Sequence, residues 1–122
     1  MSEILPYEVI FYMDQAGRSP IDDFMDELPT KIRAKLIRWL VKLGKSGPNL
    51  PRPYADTLRG KIRELRLVFA SQQIRCLYFF AGKQIVITNG FIKKTDEVPE
   101  NEISLAERRM ADFIFRKESE AG

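Results

Sequence analysis

The chain has 122 residues, about one domain's worth, with 44% hydrophobic residues and a formal net charge of +3. One cysteine and no histidine exclude an internal disulfide, a cysteine-based zinc cluster and the commonest general base. The N-terminus, MSEILPYEV, shows neither a basic n-region nor an apolar h-region, and the longest apolar run, 77–81, is far too short to span a bilayer. A cytoplasmic protein without a membrane partner is expected, folding as one domain over residues 1–122.

The first predicted element is a strand over residues 7–12, rich in β-branched and aromatic side chains. Gly17 and Arg18 turn the chain. Ser19-Pro20 reads as an N-cap followed by proline at the first helical position, with Asp22 and Asp23 where the helix dipole favours them. Ile21, Phe24, Met25 and Leu28 form the apolar face of this short helix. A longer helix is predicted over 29–43: Ile32, Leu36, Leu40 and Leu43 recur at helical spacing, basic residues occupy the other side, and Gly44 is the expected stop. Residues 46–56, SGPNLPRPYAD, hold three prolines and a glycine and read as a loop.

Three strands follow, over 61–69, 74–80 and 84–92. The middle one is apolar on both faces except for Arg75. Pro99 opens a last helix whose stripe is Ile103, Ala106, Met110 and Phe113, with Phe115 off it and a tail, 116–122, expected to fray. The order is β-α-α-β-β-β-α. It predicts an α+β fold: a small antiparallel sheet with helices mainly on one face. Cys76, inside the apolar strand, reads as a small buried hydrophobe.

Charge is unevenly spread. Residues 1–30 hold seven acids and one base, 31–66 eleven bases and two acids, 67–94 four bases and no acid, and 95–122 eight acids and four bases. A basic middle between acidic ends predicts a localised anion-binding surface. Strand periodicity puts Glu64 and Arg66 opposite Leu65 and Leu67, on the face that helices leave uncovered. Arg75 stands alone among apolar neighbours, which is costly unless it is paired or opens on a wet cleft. Lys93 and Lys94 end the next strand. Three adjacent strands therefore each offer a cation to one concave face. A guanidinium fork matches phosphate oxygens and stays charged at any working pH. Arg66 can alternatively pair with Glu64 or a cross-strand residue. Arg52, Arg59, Lys61 and Arg63 extend the basic surface and are expected to hold phosphates of RNA or DNA, Arg63 by snorkelling to the edge.

LRGKIRELRL, IRCLYFF, IVITNGFIKKTDEVPENEI and AERRMADF, in that order and spacing, resemble the phage-derived HigB-like branch of the RelE/ParE toxin superfamily. The resemblance covers nearly the whole chain and implies a RelE-like fold and the toxin of a toxin–antitoxin pair, a ribosome-dependent mRNA endoribonuclease. Arg75 matches the arginine of the superfamily's Y-R-V-L-Y strand, Arg66 that of the preceding strand's L-R ending, and Lys93 and Lys94 the basic pair. The implied partners are mRNA on the ribosome, a helix-turn-helix antitoxin of the HigA-like kind, and operator DNA through the antitoxin complex. Asn89 stands where relatives often carry histidine, and it cannot exchange a proton near neutral pH.

The reaction would be attack of an RNA 2′-OH on the adjacent phosphate. Arg75, open to solvent, is the expected charge stabiliser, with Arg66 helping. Glu64 is a candidate base, Lys93 and Lys94 are candidates for either the base or a phosphate anchor, and a core role outweighs an acid role for Tyr78. No metal or cofactor is expected. A ParE-like inhibitor of DNA gyrase and a non-catalytic nucleic-acid-binding module are the alternatives, since fold alone does not decide between them.

Overall fold

In the computed structural model, which describes residues 5–121, the chain begins in a short strand, β1 (Glu8–Phe11), and enters α1 (Pro20–Glu27) through a cap. The Ser19 hydroxyl accepts from the Asp22 amide at 3.3 Å, and Pro20 occupies the first helical turn, where its missing N–H costs nothing. The second helix, α2 (Thr30–Ser46), is longer than expected. Gly44 lies inside it, because a Cβ there would sit 2.8 Å from Leu5 Cδ1 and 3.2 Å from the Tyr7 carbonyl oxygen. Gly47, at φ 53°, ends the helix instead and starts a 3-10 turn (Gly47–Asn49).

Five strands, not four, form the sheet. The additional one, β2 (Ala55–Arg59), begins inside the proline-rich segment expected to be a loop. The prolines stop at Pro53, and Ala55, 1% exposed, already pairs with Leu65. Next come β3 (Ile62–Phe69), β4 (Gln72–Ala81) and β5 (Gln84–Lys93). The spatial order is β1-β5-β4-β3-β2. β2 to β5 form the antiparallel meander, while β1 returns to the far edge and pairs β5 in parallel. The β3–β4 turn is tight, with Ala70 and Ser71 both at positive φ.

Two cores flank the sheet. On one face, the α1 and α2 stripes (Ile21, Met25, Ile32, Leu36, Leu40, Leu43) meet Leu65, Leu67, Ile74, Cys76, Ile85 and Ile87. Full burial pushes the Cys76 thiol up to about 12, so it acts as a packing group. On the other face, α3 (Glu100–Ala121) lays Ala106, Met110 and Phe113 against Ile62, Leu77, Phe79 and Val86. Two of the three helices share a face, and α3 alone covers the face that was expected to be open. The helix runs on through the segment expected to fray. Arg116 anchors it there by donating to Asp112 Oδ2 at 2.7 Å and to the Met13 carbonyl. Gly122 lies outside the described residues.

Gly47→Ala should lower stability by about 1–3 kcal/mol in urea denaturation, since a Cβ would overlap the Tyr7 ring and φ is positive.

Candidate nucleic-acid interface

The register of β3 against β4 sets Arg66 directly opposite Arg75. Like charges so placed repel unless something intervenes. Glu64 does so. It lies two residues before Arg66 on the same face and is 3% exposed. Its Oε1 accepts from Arg66 Nε at 2.7 Å, and its Oε2 lies 3.4 Å from Arg75 Nε. Neither Glu64 Oε2 nor Arg75 Nε has a hydrogen-bond partner among the described residues, so the second contact is an ion pair without good bond geometry.

Arg75 differs from expectation. It is 6% exposed, not open to solvent. Phe91 stands beside it across the strand pair, and α3 closes the face. Arg75 donates to the Ile74 carbonyl at 3.2 Å and to Gln73 Oε1 at 2.9 Å. Burial pulls its pKa down, Glu64 opposes that, and Arg66 adds to it; an arginine remains protonated through such a shift. The accessible guanidinium is Arg66, with 35% of its side chain exposed. Arg66 also donates to the Arg52 carbonyl at 3.3 Å and lies 3.8 Å from Asp56 Oδ2. The Thr57 amide, followed by the charges of Arg52 and Arg66, holds the Asp56 carboxyl below its usual range.

Lys93 reaches the same face through an irregularity in β5. Leu77 pairs Asn89 but Tyr78 pairs Ile87, so Thr88 is an extra residue, a β-bulge. Strict alternation would turn Phe91 and Lys93 towards α1 and α2. The bulge turns them to the face of Arg75, where Lys93 pairs with Gln73. Thr88 and Asn89 are buried, the Thr88 hydroxyl lies within bonding distance of Asn89 Oδ1 and the Leu77 carbonyl, and Asn89 donates to the Glu102 carbonyl at 3.3 Å. Arg109 donates to the Thr88 carbonyl at 2.8 Å. Asn89 thus ties the bulge to α3.

A groove of about 320 Å³ results, lined by Glu64, Arg66 and Lys93 together with Asp96, Glu97, Leu58, Val98 and Ile103. The acids Asp96 and Glu97 were not singled out from sequence, although their place just beyond Lys93-Lys94-Thr95 was the available signal. Lys94 is exposed one residue past the end of β5. Among the described residues, no group of His, Cys, Asp and Glu gathers as metal ligands would.

The remaining basic residues divide. Arg59 is engaged by α3, donating to Glu100 Oε1 and Glu107 Oε1, each at 2.7 Å. Those two bonds, Glu107 foremost, raise its pKa, and the expected phosphate contact is taken by carboxylates of its own chain. Arg52 is largely exposed and lies 3.6 Å from Asp56 Oδ1. Lys61 and Arg63 line a separate notch with Thr57, Gly60 and Phe80. Arg63 faces away from Arg66 and donates to Thr57 Oγ1 at 3.1 Å and the Tyr78 hydroxyl at 3.4 Å. Tyr78 is fully buried, which pushes its phenol up, so it belongs to the core.

The chain belongs to the phage-derived Gp49-like protein family (DUF891), whose model matches residues 23–111. That family is known as a type of toxin of toxin–antitoxin pairs, and membership implies an antitoxin partner. No curated protein matches the chain. Among the described residues, no helix is long and apolar enough to cross a membrane.

Glu64→Gln should cost about 3–5 kcal/mol in chemical denaturation, because it strands the buried Arg75 charge; a loss below about 1 kcal/mol would show that the carboxylate is not its counter-ion.

Proposed function

We propose that the chain is a ribosome-dependent mRNA endoribonuclease of the RelE/HigB-like kind, which arrests translation by metal-independent attack of an RNA 2′-OH on the adjacent phosphate. The observation that carries this reading is the convergence of Arg66, Arg75 and Lys93, one from each of three adjacent strands, on one face beside a groove. Membership of a toxin family supports it.

In this reading the roles differ from those expected from sequence. Arg66, exposed at the groove, grips the non-bridging phosphate oxygens and stabilises charge as the phosphorane forms. Arg75 acts as a positioning residue, holding Glu64 from beneath. When Arg66 turns to the phosphate, Glu64 Oε1 loses its partner and is free to take the 2′-OH proton. The 2′ oxygen bonds to phosphorus, the P–O5′ bond breaks, and Lys93 supplies a proton to the departing 5′ oxygen. Lys94 and Arg52, outside the groove, hold flanking phosphates. The masking partner is a helix-turn-helix antitoxin through which the complex reaches operator DNA, and the reaction takes place in the cytoplasm.

The burial of Arg75 and the amide at Asn89 favour a second reading, in which the same surface binds a target without chemistry, as a gyrase inhibitor or a plain nucleic-acid binder does.

Arg66→Ala should reduce transcript cleavage on translating ribosomes by about 10²–10³-fold, the loss typical of removing one donor to a developing oxyanion. Mapping of transcript ends after induced expression reads this out. Cleavage at the unaltered rate in Arg66→Ala removes the site assignment. Growth arrest of the unaltered chain with an SOS response and intact transcripts selects the gyrase reading.

A further inference from the structure

We propose that the groove between the outer edge of β1 and the Ile37–Val41 side of α2 receives an acidic, amphipathic segment of the antitoxin, which joins the sheet as a sixth strand. The inference rests on the toxin–antitoxin reading for the identity of the partner, and on this chain alone for the surface.

β1 is the last strand of the sheet on its side. Its inward bonds go to the β5 side: the Glu8 amide donates to the Lys83 carbonyl and the Tyr12 amide to the Ile87 carbonyl, each at 2.9 Å. Backbone alternation then points the polar groups of Val9 and Phe11 outward, to a position where another strand would lie. The side chains of Tyr7, Val9 and Phe11 pack on the α1/α2 face. Above that vacant strand position, α2 presents Ile37 and Val41, one turn apart, 46% and 40% exposed. Together with Leu40 they and the β1 residues line a groove of about 450 Å³. At the start of this edge the Tyr7 amide is taken by the Gly44 carbonyl of α2 at 3.2 Å, whereas among the described residues the outward groups of Val9 and Phe11 make no such bond; two residues of open edge under an apolar overhang suit strand addition, where main-chain bonds supply affinity and alternate side chains enter the groove.

Charge selects the occupant. Beyond Ile37 and Val41 the surface continues into Arg38 and Lys42, and α2 carries six bases and no acid over residues 31–45. Lys42 is steadied 4.5 Å above the Trp39 ring. The carboxylate that lines the groove, Glu8, accepts from the Gln84 amide at 3.1 Å and belongs to the opposite face of β1. A segment whose alternate residues, all facing α2, are apolar beneath Ile37 and Val41 and acidic where it passes Arg38 and Lys42 therefore fits. A second copy of this chain would bring the same basic helix to the rim, and RNA has no apolar side chains for the overhang.

The test uses the full chain and the full-length antitoxin encoded beside it. Ile37→Glu and Val41→Glu place a carboxylate in the groove at positions exposed enough to leave the fold unchanged, as circular dichroism should verify. Each should weaken antitoxin binding at least roughly thirtyfold in titration calorimetry, the scale of an interface hot spot. Each should also escape neutralisation in cells while arresting growth as strongly as the unaltered chain. Arg38→Glu should weaken binding roughly tenfold and flatten its salt dependence. Unchanged affinity of both groove variants overturns the proposal, as does sedimentation of the unaltered chain as a dimer that these variants dissociate without affecting antitoxin binding. Loss of binding in the variants by a chain that cleaves no RNA upholds the docking surface and rejects the nuclease reading alone.

Discussion

The face between β3 and β5 depends on one carboxylate held between two guanidiniums. Register alone would set Arg66 against Arg75 across neighbouring strands, and burial would multiply the cost of that opposition. Glu64 converts the pair into an alternating row, with the buried cation below, the anion in the middle and the accessible cation at the groove. The arrangement explains how an arginine persists amid Ile74, Cys76 and Leu77. It also divides the labour, since a group in contact with the partner oxygens of Glu64 is fixed in place, and only Arg66 has a free side on which to meet an anion.

The charge asymmetry along the sequence acquires a partly internal meaning. The acidic stretch beginning near residue 95 provides the carboxylates that hold Arg59, and Asp112 ties Arg116 to its own helix. Tyr12 adds a hydroxyl to Asp112 at 2.6 Å, and the Arg109 and Arg116 guanidiniums lie 5.7 and 5.4 Å from its ring centre. α3 is therefore attached to the sheet by polar contacts along most of its length, with a modest apolar seam between them. Part of the positive middle is consumed in holding this helix, while Arg66 and Lys93 line one groove, Lys61 and Arg63 a separate notch, and Arg38 and Lys42 the outer side of α2.

Much of the fold was legible because its signals are local. Ser19-Pro20 announces a helix start, the spacing of Ile32, Leu36, Leu40 and Leu43 announces a buried stripe, and alternation along β3 separates Leu65 from Arg66. The misread features are set by distant partners. Gly44 is a packing glycine because Leu5 and the Tyr7 carbonyl lie against it, not because the helix ends there. β2 exists because β3 offers it an edge, despite the prolines just before it. The apolar stripe of α3 was visible, but nothing along the chain says which side of the sheet it covers, and that choice decides whether Arg75 meets water. Parity set Arg66 opposite Leu65 and Leu67, as the two cores divide the strand, but parity carries no information about depth.

Thr88 shows how far one position can reach. Because it is an added residue in the last strand of the meander, the two halves of that strand owe allegiance to different layers of the molecule: Ile85 and Ile87 serve one hydrophobic layer, and Phe91 and Lys93 stand on the other side. Chain length between Ile87 and Lys93 thus decides which layer the lysine joins. Deleting a single residue there would leave every functional group intact in composition and yet exile the lysine to the wrong side of the sheet, a loss that no substitution elsewhere in the strand would repair.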